Sequence, residues 1–460
     1  MQATGKTLRV LLALALTAGL MLAAGCEKDP QQSSAEADTG PDVADNEQFI
    51  PILIYRTGPF APGGSGIGGG YEDYLVLLNE RDGGINGVKL VFEECETAYN
   101  TDRGVECYER LKNKGAKGAP VFHPLSTGIT YALIDRATRD KIPIISLGYG
   151  RTDASDGTVF PYIFPLITNY WSQNTAKIRY IAQTEGGEDK LKGMKIVNLH
   201  LKHPYGQETI PVLNKMAEMY GFEVTHLPVP WPGIDQKSLW LQIKKIKPDW
   251  VINRNWGISC TVPLREAARI DFPRNRVLGV WWCGSEEDVV PAGDAATGYV
   301  TTNFHGVGKD YPVIQDILEH VYGQMKGNIS PTRVGSVFYN RGVIHGIVTT
   351  EAIRLAQSKY GNRAIGGTEM QWALENLDIT EARLIELGAG GLMAPLKTSW
   401  RDHEGGGLVR MQQWDGTKWV PLGGWIKPDA ELVHGMIKES SAKYAREKGI
   451  TPRTKPEDGI

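Results

Sequence analysis

The sequence predicts an α/β fold made of two successive, doubly wound parallel sheets. Three observations point there. Short apolar runs alternate with helical runs of roughly 10–15 residues, which is the pattern of βαβ units. The alternation breaks around 162–169 and then starts again. The chain also carries 54 glycines and 26 prolines, enough for the many turns that short connections require. At 460 residues, 41% hydrophobic and 22% charged, it is long enough to build two separate cores.

The elements follow in order. Phe49–Tyr55 reads as a strand, followed by a Gly-rich loop over residues 58–64 and a helix running to about Glu80. The turn at residues 83–87 leads into a second strand, Val88–Cys95. Thr101–Asn113 reads as a helix, Pro120–His123 as a strand, Gly128–Arg139 as a helix and Pro143–Leu147 as a strand. After the break, strands are expected at Lys195–Leu201, Glu223–Val229, Trp250–Arg254 and Arg276–Trp281. Helices separate them near Gln207–Met219, Gln236–Lys247 and Thr261–Arg269. Two long helices, Val313–Lys326 and Ser336–Gln357, come next. A hairpin closes the pattern, Leu408–Gln413 and Lys418–Pro421, joined at Asp415-Gly416, a dipeptide that suits a tight turn.

The N-terminus has a different character. Lys6 and Arg9 precede an apolar run from Val10 to Ala24, which is the layout of a secretory signal over residues 1–25. It ends Leu22-Ala23-Ala24-Gly25-Cys26, similar to a bacterial lipobox, so Cys26 is the expected lipidated N-terminus of the mature chain. Ala23 stands where a leucine is preferred, and ordinary cleavage nearby is the alternative. Residues 26–48 are polar and acidic and read as a flexible tether, reaching roughly 25 Å on average. Loss of the signal removes Lys6 and Arg9 but no acid, which takes the net charge from −3 to −5. Neither value provides a basic field for nucleic acid. Four cysteines then remain. An even number in an exported chain suggests two disulfides, and sequence alone allows three pairings. Local pairing, Cys95–Cys107 and Cys260–Cys283, is the simplest.

No chemistry-bearing motif appears. The nine histidines show no paired metal spacing, and neither a nucleophile elbow nor a phosphate-cradling loop ending in Lys-Ser/Thr occurs. The run Gly63–Gly70 superficially resembles such a loop and is expected to leave room beside a cleft. No enzyme, metal or cofactor is therefore expected. A site should instead lie beyond the carboxyl ends of the parallel strands. There the sequence places Ser126 and Thr127 at a helix N-terminus, where hydroxyls and free N–H groups suit an anionic oxygen, although Ser126 also reads as a plain N-cap. It also places Tyr149 and Gly150, Tyr205, Trp256 and Trp281 at strand ends. Such aromatics bury large areas and stack, as ligand pockets require. Arg151 or Arg254 is expected to add a charged contact.

From about Phe49 to Leu422 the chain resembles the leucine/isoleucine/valine-type (branched-chain amino-acid-like) periplasmic substrate-binding proteins of ABC transporters. The resemblance rests on several segments taken in order: Thr57-Gly58-Pro59-Phe60-Ala61, Gly83-Gly84-Ile85-Asn86-Gly87, Asn100–Val105, Pro124-Leu125-Ser126-Thr127, Ile142-Pro143-Ile144-Ile145-Ser146 and Tyr205-Gly206. It implies the type I periplasmic binding protein fold, two lobes joined by three crossovers. One lobe would comprise 49–168 with about 303–392, the other 169–302 with about 393–428, and 429–460 would form a C-terminal helix and tail. It implies a monomeric receptor that closes by a hinge on a small molecule and works with a membrane permease and an ATPase, or a sensor of the same fold. Thr127 matches the family's carboxylate-holding hydroxyl, Tyr205 a cleft tyrosine, and Trp256 another cleft aromatic. The departures are Gly150, where a threonine is usual, and Trp281, where a glutamate neutralises an amino acid's ammonium. An unpaired ammonium in a dry site costs several kcal/mol. The expected ligand is therefore a small carboxylate with an apolar or aromatic body. A branched-chain amino acid, an amide or a quaternary amine is the alternative, and Glu286 or Glu287 would compensate for an ammonium.

Overall fold

Strand β1 (Glu47–Ile54) opens the first lobe and pairs in parallel with β2 (Lys89–Glu96) along its full length. The computed structural model describes residue 44 and residues 46–458. The signal segment, Cys26 and most of the tether lie outside the described residues. The strand starts two residues earlier than expected. Gln48 is buried and its side chain exchanges hydrogen bonds with the Ile365 backbone, so it belongs to the domain and not to the tether. Helix α1 (Ala61–Asp82) connects the two strands, followed by α2 (Thr101–Leu111) and α3 (Thr127–Asp140).

The glycines of 63–70 lie inside α1, not in a loop. Glycine is a poor helix former, by about 1 kcal/mol each, but here packing wins. Helix α11 (Val337–Tyr360) lies against α1 at backbone contact: a Cβ on Gly70 would sit 2.0 Å from the Tyr339 carbonyl oxygen, and one on Gly342 2.0 Å from that of Ile67.

Two strands expected in this lobe are reduced. Pro120–His123 contributes only a bridge from Phe122 to Ile144, and Pro143–Leu147 shrinks to β3 (Ile144–Ile145), which pairs in parallel with β4 (Ile163–Phe164). Prolines 120, 124 and 143 remove ladder donors around both segments.

Helix α4 (Tyr170–Glu185) opens the second lobe. Its elements are β5 (Lys195–Leu201), α5 (Pro204–Gln207), α6 (Ile210–Tyr220), β6 (Glu223–Val229), α7 (Lys237–Ile246), β7 (Trp250–Arg254), α8 (Ile258–Arg269), β8 (Val277–Gly279), α9 (Glu286–Val289) and β9 (Val300–Asn303). The chain then returns through α10 (Pro312–Ile317), α11, α12 (Gly367–Glu375), β10 (Asp378–Ile379), α13 (Glu381–Glu386) and β11 (Leu396–Lys397). It crosses a last time into the hairpin β12 (Val409–Trp414) and β13 (Trp419–Ile426), and ends in α14 (Ala430–Lys448). The lobes are thus linked at 165–169, 304–311 and 398–408. The second sheet has the order β13-β12-β9-β8-β7-β5-β6. Strands β5 to β9 are parallel, and the hairpin adds an antiparallel edge. The expected helix Val313–Lys326 is shorter: α10 gives way to a wider turn over Leu318–Tyr322.

Cys95 on β2 is bonded to Cys107 on α2, and Cys260 to Cys283, with Cα atoms 5.7 and 5.1 Å apart. The second bond ties helix α8 to the turn after β8, rather than two strand ends.

Candidate ligand-binding cleft

The chain enters the second sheet at β5, adds β6 on one side and β7 on the other, so the topology switches direction between β5 and β7. Ligands of such sheets sit outside the carboxyl ends at that point. Tyr205 follows β5 there and Trp256 follows β7. The Tyr205 hydroxyl donates to the Asn255 carbonyl at 2.7 Å, which fixes one strand end against the other.

The first lobe presents its own strand ends to this crevice. Ser126 caps α3, its Oγ accepting from the Ile129 N–H at 3.4 Å. Both readings of Ser126 therefore describe one residue: a cap whose helix N-terminus faces the opposite lobe. Thr127 Oγ1 accepts from the Gly150 N–H at 3.2 Å, joining two strand-end loops. Tyr149 shares a hydrogen bond of 2.9 Å with Tyr55 at the end of β1. Burial in this dry setting pushes the Tyr149 phenol well above its ordinary range.

The two lobes meet in a closed arrangement. Gly148 has φ +73°, a conformation open to glycine, and its carbonyl points at the opposite lobe. That oxygen accepts from the indole N–H of both Trp281 and Trp282 at 2.8 Å. Trp282 also donates to the Tyr170 hydroxyl at 2.9 Å and stacks on Tyr149 with ring centroids 4.1 Å apart. Trp281 does not end a strand: β8 stops at Gly279, and Trp281 starts a short turn that lays its ring between Tyr170 and Phe304. Trp256 meets Tyr55 and Phe60 from the first lobe, and Gly63 leaves its indole room, since a Cβ there would lie 2.6 Å from Cη2.

Gly150 has a partner from across the crevice. Glu208 follows α5, accepts from the Thr152 N–H at 2.6 Å and from the Tyr131 hydroxyl, and occupies the space a side chain at 150 would need. A Cβ on Gly150 would come within 2.8 Å of Glu208 Oε2 and 3.0 Å of Thr127 Cγ2. Burial raises the Glu208 carboxyl above its ordinary pKa.

The seven residues expected at the site are all buried around the meeting of the two lobes. Arg151 is paired with Asp153 and stacked on Tyr444. Glu286 accepts from the Val337 N–H at 3.0 Å, while Glu287 pairs with Arg333 at 2.5 Å through one oxygen, leaves the other without a hydrogen-bond partner, and borders an apolar cavity between the lobes. Sequence reasoning missed Tyr55, Tyr170, Trp282, Phe338 and Arg341. Tyr55 ends a strand, so the strand-end rule reaches it. Arg341 sits in mid-helix, where its only signal is a charge inside an otherwise apolar stretch.

At the mouth, a cavity of about 570 Å³ is bounded by Pro59, Gly63, Ile234, Ile258, Thr261 and Phe338 among others. It is mostly apolar, with Arg265, Glu287 and Asp288 also on its wall. Among the described residues no group of three or more His, Cys, Asp or Glu is placed to hold a metal, and no helix is long and apolar enough to cross a membrane.

Comparison with known proteins agrees with this fold. A family model described as "Periplasmic binding protein" matches residues 47–418. A protein from the Pseudomonas fluorescens group, described as an ABC transporter permease, superposes with a TM-score of 0.84 at 46% identity, covering 89% of this chain and all of its own. A branched-chain amino acid ABC transporter protein from Thermus thermophilus with bound valine gives a TM-score of 0.70 at 22% identity, over 85% of this chain and 99% of that one. A solute-binding protein from R. palustris in complex with benzoate gives 0.64 at 19% identity, over 83% and 97%. No curated protein matches the chain. With its two-lobed type I fold and the match along most of its length, the chain belongs to the periplasmic binding protein family and is a substrate-binding protein of an ABC transporter, not an enzyme.

Proposed function

We propose that this receptor delivers a small carboxylate with an apolar, aromatic body to an ABC importer. The observation that carries the reading is the pairing of a helix N-terminus, suited to an anionic oxygen, with a floor of aromatic rings. Ser126, Thr127 and the first N–H groups of α3 hold the ligand's oxygens, the role open to a helix N-terminus. Tyr149, Tyr205, Trp256 and Trp281 enclose the body, each good ring pair adding about 0.5–1.5 kcal/mol beyond burial. Trp281 stands in place of a glutamate, Glu286 is held by the Val337 N–H and Glu287 by Arg333 at the cavity rather than at the aromatic floor, which argues against a standard α-amino acid on that floor. The benzoate-bound relative supports the same ligand class. Cys26 is the proposed lipid anchor, and Cys26→Ser should release the protein from membranes.

Thermal-shift screening against aromatic acids, branched-chain amino acids, amides and betaines tests the ligand class. Stabilisation by aromatic acids is expected. Stabilisation by leucine or valine alone would overturn the reading, and a response to betaines alone would turn the aromatic floor into a cation cage.

A further inference from the structure

Two arginines in the cleft are buried without an acidic partner. Arg254, the last residue of β7, and Arg341, in the middle of α11, are both fully buried. Arg254 donates to the Tyr205 carbonyl at 3.0 Å and to Gln173 Oε1 at 3.4 Å, and its Nε–H has no partner. Arg341 donates to the Trp281 carbonyl at 3.1 Å, to His305 Nε2 at 3.1 Å and to Asn303 Oδ1 at 3.3 Å. Every one of these acceptors is neutral. The buried Arg453, far from the cleft, shows the ordinary solution: both of its terminal nitrogens reach the carboxylate of Glu375. Lack of a counter-ion is thus a property of the cleft and not of buried arginines in this protein.

Both guanidiniums border the aromatic floor already described. Arg254 lies 3.9 Å from the Tyr170 ring centroid and 4.7 Å from that of Tyr205. Arg341 lies 4.5 Å from the Trp282 ring and 4.8 Å from Phe304. The Trp282–Tyr170 hydrogen bond links the two stacks. Ring faces offset part of the cost of a buried cation, but they do not cancel its charge. Burial draws Arg341 down to about 10, which still leaves it charged at neutral pH. Asp288, an acid within electrostatic reach of Arg341, is turned onto the Ser285 N–H and hydroxyl, and burial pushes its carboxyl well towards the neutral form. Two positive charges therefore remain for whatever the lobes close on.

Resting on the carboxylate reading above, we infer that the ligand is a dianion, a dicarboxylate whose two ends are neutralised by Arg254 and Arg341. Thr127 and the α3 terminus share the Arg254 end, because Tyr170 links them. Arg341 serves the end next to Tyr55 and Tyr149.

The test is calorimetry on the mature protein with matched pairs, each a dicarboxylate and its half-amide. Terephthalate with its monoamide, phthalate with its monoamide, and the linear diacids from succinate to sebacate with theirs cover aromatic and aliphatic bodies. For at least one pair the dianion should bind about thirtyfold or more tightly than the isosteric monoanion, the loss typical of leaving a buried charge unpaired. Arg341→Gln should reduce that preference to near unity while Arg341→Lys retains part of it, and circular dichroism checks that both variants fold. Equal binding of dianion and half-amide in every responding pair overturns the dianion and leaves the carboxylate reading standing. If no acid of either kind binds while the neutral diamides do, the carboxylate reading falls as well. Silence across the whole panel counts against both.

Discussion

Gly150 is where a single residue decides how the crevice closes. Glu208 from the opposite lobe occupies the space beside it, so Gly150→Ala should weaken ligand binding by holding the lobes apart, and Glu208→Ala in the same chain should restore much of the loss. Calorimetry on the two variants checks this, and equal affinity of Gly150→Ala and wild type would refute it. Lys177, on α4, makes a second prediction. It is fully buried and its Nζ finds no hydrogen-bond partner. Burial, with nearby Arg254, pushes the amine well below its ordinary 10.5. Between the depressed value and 10.5 the unfolded chain binds a proton that the folded chain does not, so this group makes stability rise as pH rises through that window. Lys177→Met should remove this part of the slope and stabilise the protein at pH 7 by about 1–3 kcal/mol. Urea unfolding at pH 7 and pH 9 measures both; an unchanged slope with lower stability would contradict it. The residues legible in the sequence were those the strand-end rule could reach, such as Tyr149, Tyr205 and Trp256. Arg341 was not, because a helix position carries no mark of which neighbour it will face until α11 has been laid on α1.

At the scale of elements, the second lobe was the more legible. Lys195–Leu201 and Trp250–Arg254 are strands as read, because each is a largely apolar run flanked on both sides, and Glu223–Val229 is the edge strand paired with Lys195–Leu201 alone. The first lobe was harder. Its third and fourth strands are broken up by prolines, and its Gly-rich segment has a local preference against the helix it adopts. That conflict is resolved only by tertiary contact, since α11 needs the glycines of α1 to approach. Gly70→Ala therefore separates the two explanations. Helix propensity alone would make it stabilising by about 1 kcal/mol. The contact with the Tyr339 carbonyl makes it destabilising instead, by about 1–3 kcal/mol as an overpacked site. Thermal unfolding of the variant decides between them.

At the scale of the molecule, two lobes are joined by three crossings and a further brace. Helix α14 places Val433 and Ile437 in the core of the second lobe and Tyr444 and Ala445 in that of the first. Ser440 and Ser441 bind Asp153 and Asp156 near its middle. The brace therefore adds a contact of its own between the lobes, about which a hinge closure would also have to turn. The central claim is that closure encloses a small carboxylate and not an amino acid. The most direct measurement is to purify the protein from its native compartment without added ligand, release what it carries with denaturant, and identify it by mass spectrometry. The expected result is one organic acid per chain with an apolar body and no ammonium group. Recovery of leucine, valine or another α-amino acid in stoichiometric amount would contradict it.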